Sequence, residues 1–220
     1  MTPTEPASFP HASRPTRSRS GIVIALLALA IGGCVPTAAT FDPSGPCVTD
    51  GQTPGAYPDL EGRLPAAFDG TAPTTVDSGR TCTADGLGSL VDHDVEVLTY
   101  AGATWDLGNR TGVTSVVFAV PEGSLPAAWM AEFYEAGARA GKKTSNVETS
   151  RPAFEGTGDA WRLDALNDLS FQSVVTWQDG GIVRVVLVAT PVEPGASVDA
   201  HDELVAAAVR ATVEVMAAGR

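Results

Sequence analysis

The strongest constraint on the fold is a hairpin signal in the last third of the chain. Two strand-like runs, 171–177 and 182–190, flank Asp179-Gly180. Asp-Gly favours a tight hairpin turn, because glycine adopts positive φ without a steric penalty. The pattern therefore predicts a pair of antiparallel strands.

The elements around this hairpin predict an α+β fold. Alternating or β-branched runs indicate strands over 94–105, 113–120, 146–151 and 160–166. Ser124 and Pro126 precede a helix that ends at Gly141, and Ser197 begins a last helix. Two strands, a helix, four strands and a helix favour a mainly antiparallel sheet in a single domain, with two principal helices packed on one face.

Apolar residues define the face that each helix is expected to bury. In the first helix this face comprises Trp129, Met130, Phe133, Gly137 and Ala140. In the last helix it comprises Leu204, Val205, Ala208, Ala211, Thr212 and Val215. Residues 59–94 are less regular: we expect short helices near Leu60 and after Cys82, and a short extended piece at Thr75-Val76.

The N-terminal segment has the pattern of an export signal. Arg14, Arg17 and Arg19 precede an apolar run over 21–31. This run is well short of the roughly 20 apolar residues that a membrane-spanning helix needs. A basic region, a short apolar region and then small residues are typical of a signal peptide.

The apolar run ends in Ile31-Gly32-Gly33-Cys34, which resembles the bacterial lipobox. The resemblance implies that the Cys34 thiol is bonded to diacylglycerol and that residues 1–33 are removed as a lipoprotein signal peptide. Two acyl chains are required for stable anchoring, since one gives only marginal membrane binding. The expected location is the outer face of the bacterial cytoplasmic membrane. The alternative is an ordinary signal peptide followed by a chance cysteine.

Net charge excludes one class of partner. The chain carries a formal charge of −12, whereas nucleic-acid binding requires a surface rich in Lys and Arg. Removal of residues 1–33 takes away three arginines and one glutamate, so the mature chain has a charge of −14. Such acidity opposes binding to anionic lipid headgroups, and the lipid itself must hold the protein at the membrane.

The other two cysteines predict a disulfide. Cys47 and Cys82 form an even pair in an oxidising compartment, and the alternative is two free thiols. Five prolines over 34–58 indicate a tether, so the predicted globular domain covers 59–220.

Residues that could carry chemistry are few. His93 lies between Asp92 and Asp94, but neighbours in a strand point to opposite faces, which favours a solvated histidine over a metal ligand. His201 lies in the first turn of the last helix, where its acidic neighbours interact with the helix dipole. A nucleophile-elbow motif and a phosphate-loop lysine are both lacking. The sequence predicts no catalytic residue, metal site or cofactor.

Four tryptophans allow either a core role or an aromatic binding surface. Trp105, Trp129, Trp161 and Trp177 each fall on the apolar phase of their own element, which favours the core for at least three of them. Trp177 lies beside the Asp179-Gly180 turn. It is the one expected nearest to solvent and is a possible ligand contact.

Three stretches, 64–70, 76–83 and 101–106, together with the lipobox, resemble small actinobacterial lipoproteins of unknown function. The resemblance implies location and class, and no catalytic residues. The favoured hypothesis is a non-enzymatic binding or accessory module of the cell envelope, with an unknown envelope protein or ligand as partner. The alternative is a carboxylate-dependent hydrolase of cell-wall or lipid substrates. A solute receptor is disfavoured, because the mature chain is short for two lobes.

Overall fold

An eight-stranded antiparallel sheet forms the centre of the structure, a computed structural model that describes residues 41–193 and 197–218. The strands are β1 (Gly51–Thr53), β2 (Thr75–Thr81), β3 (Leu98–Asp106), β4 (Gly112–Ala119), β5 (Thr144–Ser150), β6 (Ala160–Asn167), β7 (Ser170–Asp179) and β8 (Ile182–Pro191). The helices are α1 (Pro58–Glu61), α2 (Ala84–Leu87), α3 (Ala127–Ala140) and α4 (Val198–Ala218), and a 3₁₀ helix covers Gly88–His93. The strand order is β1-β2-β3-β4-β8-β7-β6-β5. This confirms a single α+β domain with a mainly antiparallel sheet.

The predicted hairpin is confirmed as β7 and β8. Asp179 pairs with Ile182, so the two-residue loop is Gly180-Gly181, one position later than the sequence pattern suggested. Gly180 has a φ of 60°, a value that glycine adopts without penalty. The order of two strands, a helix, four strands and a helix is also confirmed from β3 onwards.

The two long helices cover opposite faces of the sheet, and the prediction that both pack on one face was wrong. Met130 of α3 belongs to the same core cluster as Val183 and Val185 of β8. Val205 of α4 belongs to a second cluster with Val186. Side chains alternate between the faces of a strand, and residues 182–189 are all buried. A continuously buried strand therefore requires cover on both faces.

Helix α3 is rotated from the predicted face. Phe133 and Trp129 lie only at the margin of the core, and Gly137 and Ala140 are exposed. Tyr134 takes the central place instead, with its ring edge-on to Phe118 at 6.4 Å between centroids. The residues of α3 that are buried are Ala127, Met130, Tyr134 and Ala138. The rotation leaves Trp129 half-buried at the flank of the helix.

The folded domain begins upstream of the predicted boundary at residue 59. Strand β1 belongs to the sheet, and the Arg80 guanidinium donates hydrogen bonds of 2.7–3.1 Å to four backbone carbonyls, those of Asp42, Pro43, Gly45 and Pro46. Residues 41–58 of the predicted 34–58 tether are therefore packed against the domain. Six residues separate Cys34 from Phe41, the first residue that the structure describes.

The predicted disulfide between Cys47 and Cys82 is present, with a Cα–Cα distance of 6.1 Å. It joins the segment before β1 to the residue that follows β2. Asp50 accepts hydrogen bonds from the Cys82 and Thr83 backbone N–H groups at 2.8 and 3.0 Å. Burial alone would raise the pKa of Asp50, but these hydrogen bonds and one from the Thr83 hydroxyl outweigh it and lower the pKa.

Strand β2 is longer than its sequence suggests, because its polar residues bond to the chain that covers them. The Ser78 hydroxyl donates to Glu61 and accepts from the Tyr57 backbone N–H, at 2.7 and 2.8 Å. Gly79 allows β1 to approach, since a Cβ there would lie 2.4 Å from the Gly51 carbonyl oxygen. Neither feature belongs to an apolar alternation, so the pattern indicated only Thr75-Val76.

Candidate functional site

A groove of about 280 Å³ lies between α3 and strands β5–β7. One wall is the exposed side of α3, and the other is formed by the end of β5 and by β6. Leu163, Val174 and Thr176 form its base. Helix α3 and the strands β5 and β6 follow one another in the chain. The tertiary structure brings them together at the edge of the sheet that ends in β5.

Trp161 and Arg151 form the strand-side wall. Trp161 is half-buried and packs against the core cluster of the α3 face. The Arg151 guanidinium stacks over its indole ring, with Cζ 4.3 Å from the ring centroid. A cation at this distance is attracted by the ring quadrupole, and the flat guanidinium is held in one orientation. Among the hydrogen bonds and ion pairs of residues 41–193 and 197–218, none engages Arg151.

Glu132 and Glu135 form the helix-side wall. They are three residues apart on α3 and therefore lie on the same side of the helix. Glu132 Oε2 lies 2.7 Å from His93 Nε2, and Glu135 accepts hydrogen bonds of 2.9 and 2.7 Å from Arg139. Each carboxylate has a basic neighbour outside the groove and retains lone pairs that are not used in these contacts.

A second concave surface, of about 490 Å³, lies on the other side of Glu132 and is lined by His93 and Trp129. The two rings are parallel, with centroids 4.4 Å apart and an interplanar angle of 7°. The prediction placed His93 in solvent, whereas the structure places it half-buried between this tryptophan and Glu132. Within the described ranges, no group of three His, Cys, Asp or Glu side chains could hold a metal ion.

A buried polar cluster that the sequence patterns did not predict lies beneath the start of α4. Arg162 donates hydrogen bonds to Asp164 and Asp202. The Ser173 hydroxyl donates to Asp164 and lies 2.8 Å from His201 Nε2. His201 is only 4% exposed. One signal was available: His201 is spaced four residues before Val205, so it extends the apolar stripe of α4.

The cluster contains the residue types of a serine-nucleophile triad but not its arrangement. Ser173 is 1% exposed and gives its proton to Asp164. His201 Nδ1 lies 2.8 Å from the Thr190 hydroxyl instead of a carboxylate, whereas a triad base is oriented by a buried acid. We conclude that the cluster attaches α4 to β6, β7 and β8 and does not present a nucleophile to substrate.

His201 makes the stability of the domain depend on pH. Burial and the neighbouring Arg162 lower the pKa of His201 below 6.5. The folded state therefore favours the neutral ring. The stability that this preference contributes is fully present above the unfolded-state pKa, and it is lost as the pH falls from that pKa through the lower folded-state pKa. We expect the free energy of unfolding to decrease as the pH falls from neutral through about 6.5 and below, and this component to vanish in His201→Gln. Denaturant titrations across this range measure it.

His93→Gln is the matched control, because His93 lies half-buried on the opposite face of the sheet. It should retain the pH dependence that His201→Gln loses. An identical pH profile in wild type and His201→Gln would contradict the prediction.

Two of the four tryptophans belong to the fully buried core, fewer than expected. Trp177 is 0% exposed, so the prediction that it lies near solvent and contacts a ligand was wrong. It packs with Leu64 and Phe68, and the chain before them is held by a hydrogen bond of 2.7 Å from Arg184 to the Arg63 carbonyl. Trp105 is 2% exposed and donates to the Thr71 carbonyl. Trp129 and Trp161 are the half-buried pair.

The predicted lipobox, Ile31, Gly32, Gly33 and Cys34, lies outside the described residues. Within those residues, no helix has both the length and the apolar character needed to cross a bilayer. No protein-family model, curated protein or solved structure matches the chain.

Proposed function

We propose that this chain is a lipoprotein anchored through Cys34 at the outer face of the bacterial cytoplasmic membrane, where its domain binds a ligand or partner of the cell envelope. The groove between α3 and β5–β7 carries the binding part of the proposal. It brings a half-buried aromatic ring, an exposed guanidinium and two carboxylates into one concavity. Binding sites commonly combine an apolar surface with a few orienting polar groups in this way.

The position of the anchor relative to the groove supports this function. An extended chain covers at most about 3.6 Å per residue, so the seven residues after Cys34 place Phe41 within about 25 Å of the lipid. Phe41 lies against Arg80 of β2, near the β1 edge of the sheet. The groove lies about five strand spacings from β2, a distance of about 24 Å. The chain from the proposed anchor therefore enters the domain at the part of the sheet far from the groove.

The alternative of a carboxylate-dependent hydrolase has one observation in its favour, because Glu132 and Glu135 line the groove near Trp161. Hydrolysis of a glycoside requires one carboxyl group that donates a proton. Glu132 contacts His93 and Glu135 accepts hydrogen bonds from Arg139, so each carboxylate is already engaged by a basic neighbour. We therefore favour binding, and activity on cell-wall or lipid substrates that is lost in Glu132→Gln would reverse this preference.

Photo-crosslinking in intact cells tests the proposal. A photoreactive residue at Thr149, which lines the groove, is expected to form adducts with an envelope component. Thr53 is the matched control, since it is also exposed and lies on the opposite edge strand. Adducts at position 149 that are absent at position 53 support a binding module. The same adducts at both positions, or none at either, would contradict it.

A further inference from the structure

We propose that the groove binds a zwitterionic ligand of the amino-acid or short-peptide class, with its carboxylate on Arg151 and its ammonium group on the Glu132 and Glu135 side. This inference rests on the proposed function of the groove as a binding site and specifies the ligand class.

Arg151 is prepared to bind a carboxylate. Its guanidinium is exposed and stacked on Trp161, so its planar set of five N–H donors is oriented before a ligand arrives. Two parallel N–H donors of a guanidinium match the two oxygens of a carboxylate. A sugar would need the same indole face that Arg151 covers, which favours an anionic group over a stacked saccharide.

The opposite wall is suited to an ammonium group. Glu132 and Glu135 both line this groove from α3, and each already contacts one basic side chain outside it. An ionised carboxylate offers about four lone-pair sites, so both have acceptors left. A ligand with a single negative charge would gain from Arg151 but would be repelled by this wall, whereas a zwitterion complements both.

The size of the groove restricts the ligand further. Its volume of about 280 Å³ lies just below the usual range for small-molecule sites, which begins at about 300 Å³. An amino acid or a dipeptide suits this volume better than a polymer segment. Thr149 and Ser150, at the end of β5, supply hydroxyl groups at the rim for the peptide unit.

Calorimetry with three probes tests the ligand class on the full-length protein purified in detergent. The probes are alanyl-alanine, its N-acetyl derivative and its C-terminal amide. We expect alanyl-alanine to bind and each blocked derivative to bind at least about tenfold more weakly, because each loses one charge-assisted contact. No binding of alanyl-alanine at several millimolar, or equal binding of all three, would overturn the proposal.

Two variants assign the charges to residues. The Arg151→Gln variant should bind alanyl-alanine at least about tenfold more weakly than wild type does. It should also bind alanyl-alanine no more tightly than it binds the C-terminal amide. Glu132→Gln with Glu135→Gln should remove the penalty for N-acetylation. Arg210→Gln and Glu203→Gln are matched controls, because both residues are exposed on α4 at the other face of the sheet. A control that weakens binding as much as its counterpart would overturn the assignment.

Failure of this inference is distinguishable from failure of the proposed function. If the dipeptide does not bind but position 149 still forms specific adducts in cells, the groove binds another class of ligand. If the dipeptide binds but the protein is not acylated, the ligand class stands and the anchoring proposal does not.

Discussion

Cys34→Ala is expected to abolish incorporation of labelled fatty acid and to move the protein from the membrane fraction to the soluble fraction. One acyl chain gives a membrane association constant of only about 10⁴ M⁻¹, and stable attachment needs a second chain or a basic patch. Residues 34–220 have a formal charge of −14, which opposes binding to anionic headgroups. Without the thioether at Cys34, nothing in the mature chain is expected to replace the lipid.

The matched control for Cys34→Ala is the double variant Cys47→Ala/Cys82→Ala. It removes the other two thiols and should retain the acyl label and membrane attachment. Metabolic labelling and fractionation of the same cells measure both properties. Retention of label in Cys34→Ala would refute lipidation at Cys34.

Loss of the disulfide is expected to produce the largest change in folding stability. Cys47 and Cys82 are 35 residues apart in sequence, and closing a loop of that length in the unfolded chain is worth about 4 kcal/mol on the chain-entropy account. Cys47→Ser/Cys82→Ser should lower the free energy of unfolding by about this amount. Urea titration of wild type and variant, each with and without reductant, measures it.

Reductant provides the internal control for this experiment. Wild type under reducing conditions should approach the stability of the double variant, and the variant should not respond. Arg80 still donates hydrogen bonds to the segment before β1, and Asp50 of that segment still accepts one from the backbone N–H of residue 82. We therefore expect the variant to fold with this segment in place. Equal stability of oxidised and reduced wild type would contradict the prediction.

Local sequence patterns correctly predicted the helices and strands whose apolar residues recur at regular intervals. The β7–β8 hairpin depends on two strand-like runs and a glycine turn, and α3 ends before Gly141 as its sequence indicates. The full length of strand β2 was not predicted, because Ser78 and Gly79 contact residues that are distant in the sequence. Contacts with distant residues produce no regular pattern in the local sequence.

The run over 182–189 shows how part of the tertiary arrangement could have been inferred. Seven of its eight residues are apolar, and a half-exposed strand would instead alternate. This pattern already indicates that both faces of the sheet are covered, whereas the prediction placed both helices on one face. The groove had no comparable signal, because Arg151, Trp161 and Glu132 are ordinary residues in their own elements and become a site only when α3 crosses to the β5 edge.

By itself the sequence determined the antiparallel hairpin, the order of the main elements and the pairing of Cys47 with Cys82, because each depends on local spacing or on the number of cysteines. Only the tertiary structure decided that Trp177 is core and Trp161 lies beside a groove, since burial depends on which segments cover a strand. It also decided that residues 41–58 belong to the domain, because Arg80 binds their carbonyl groups across a long loop. These contacts join residues that no local pattern relates.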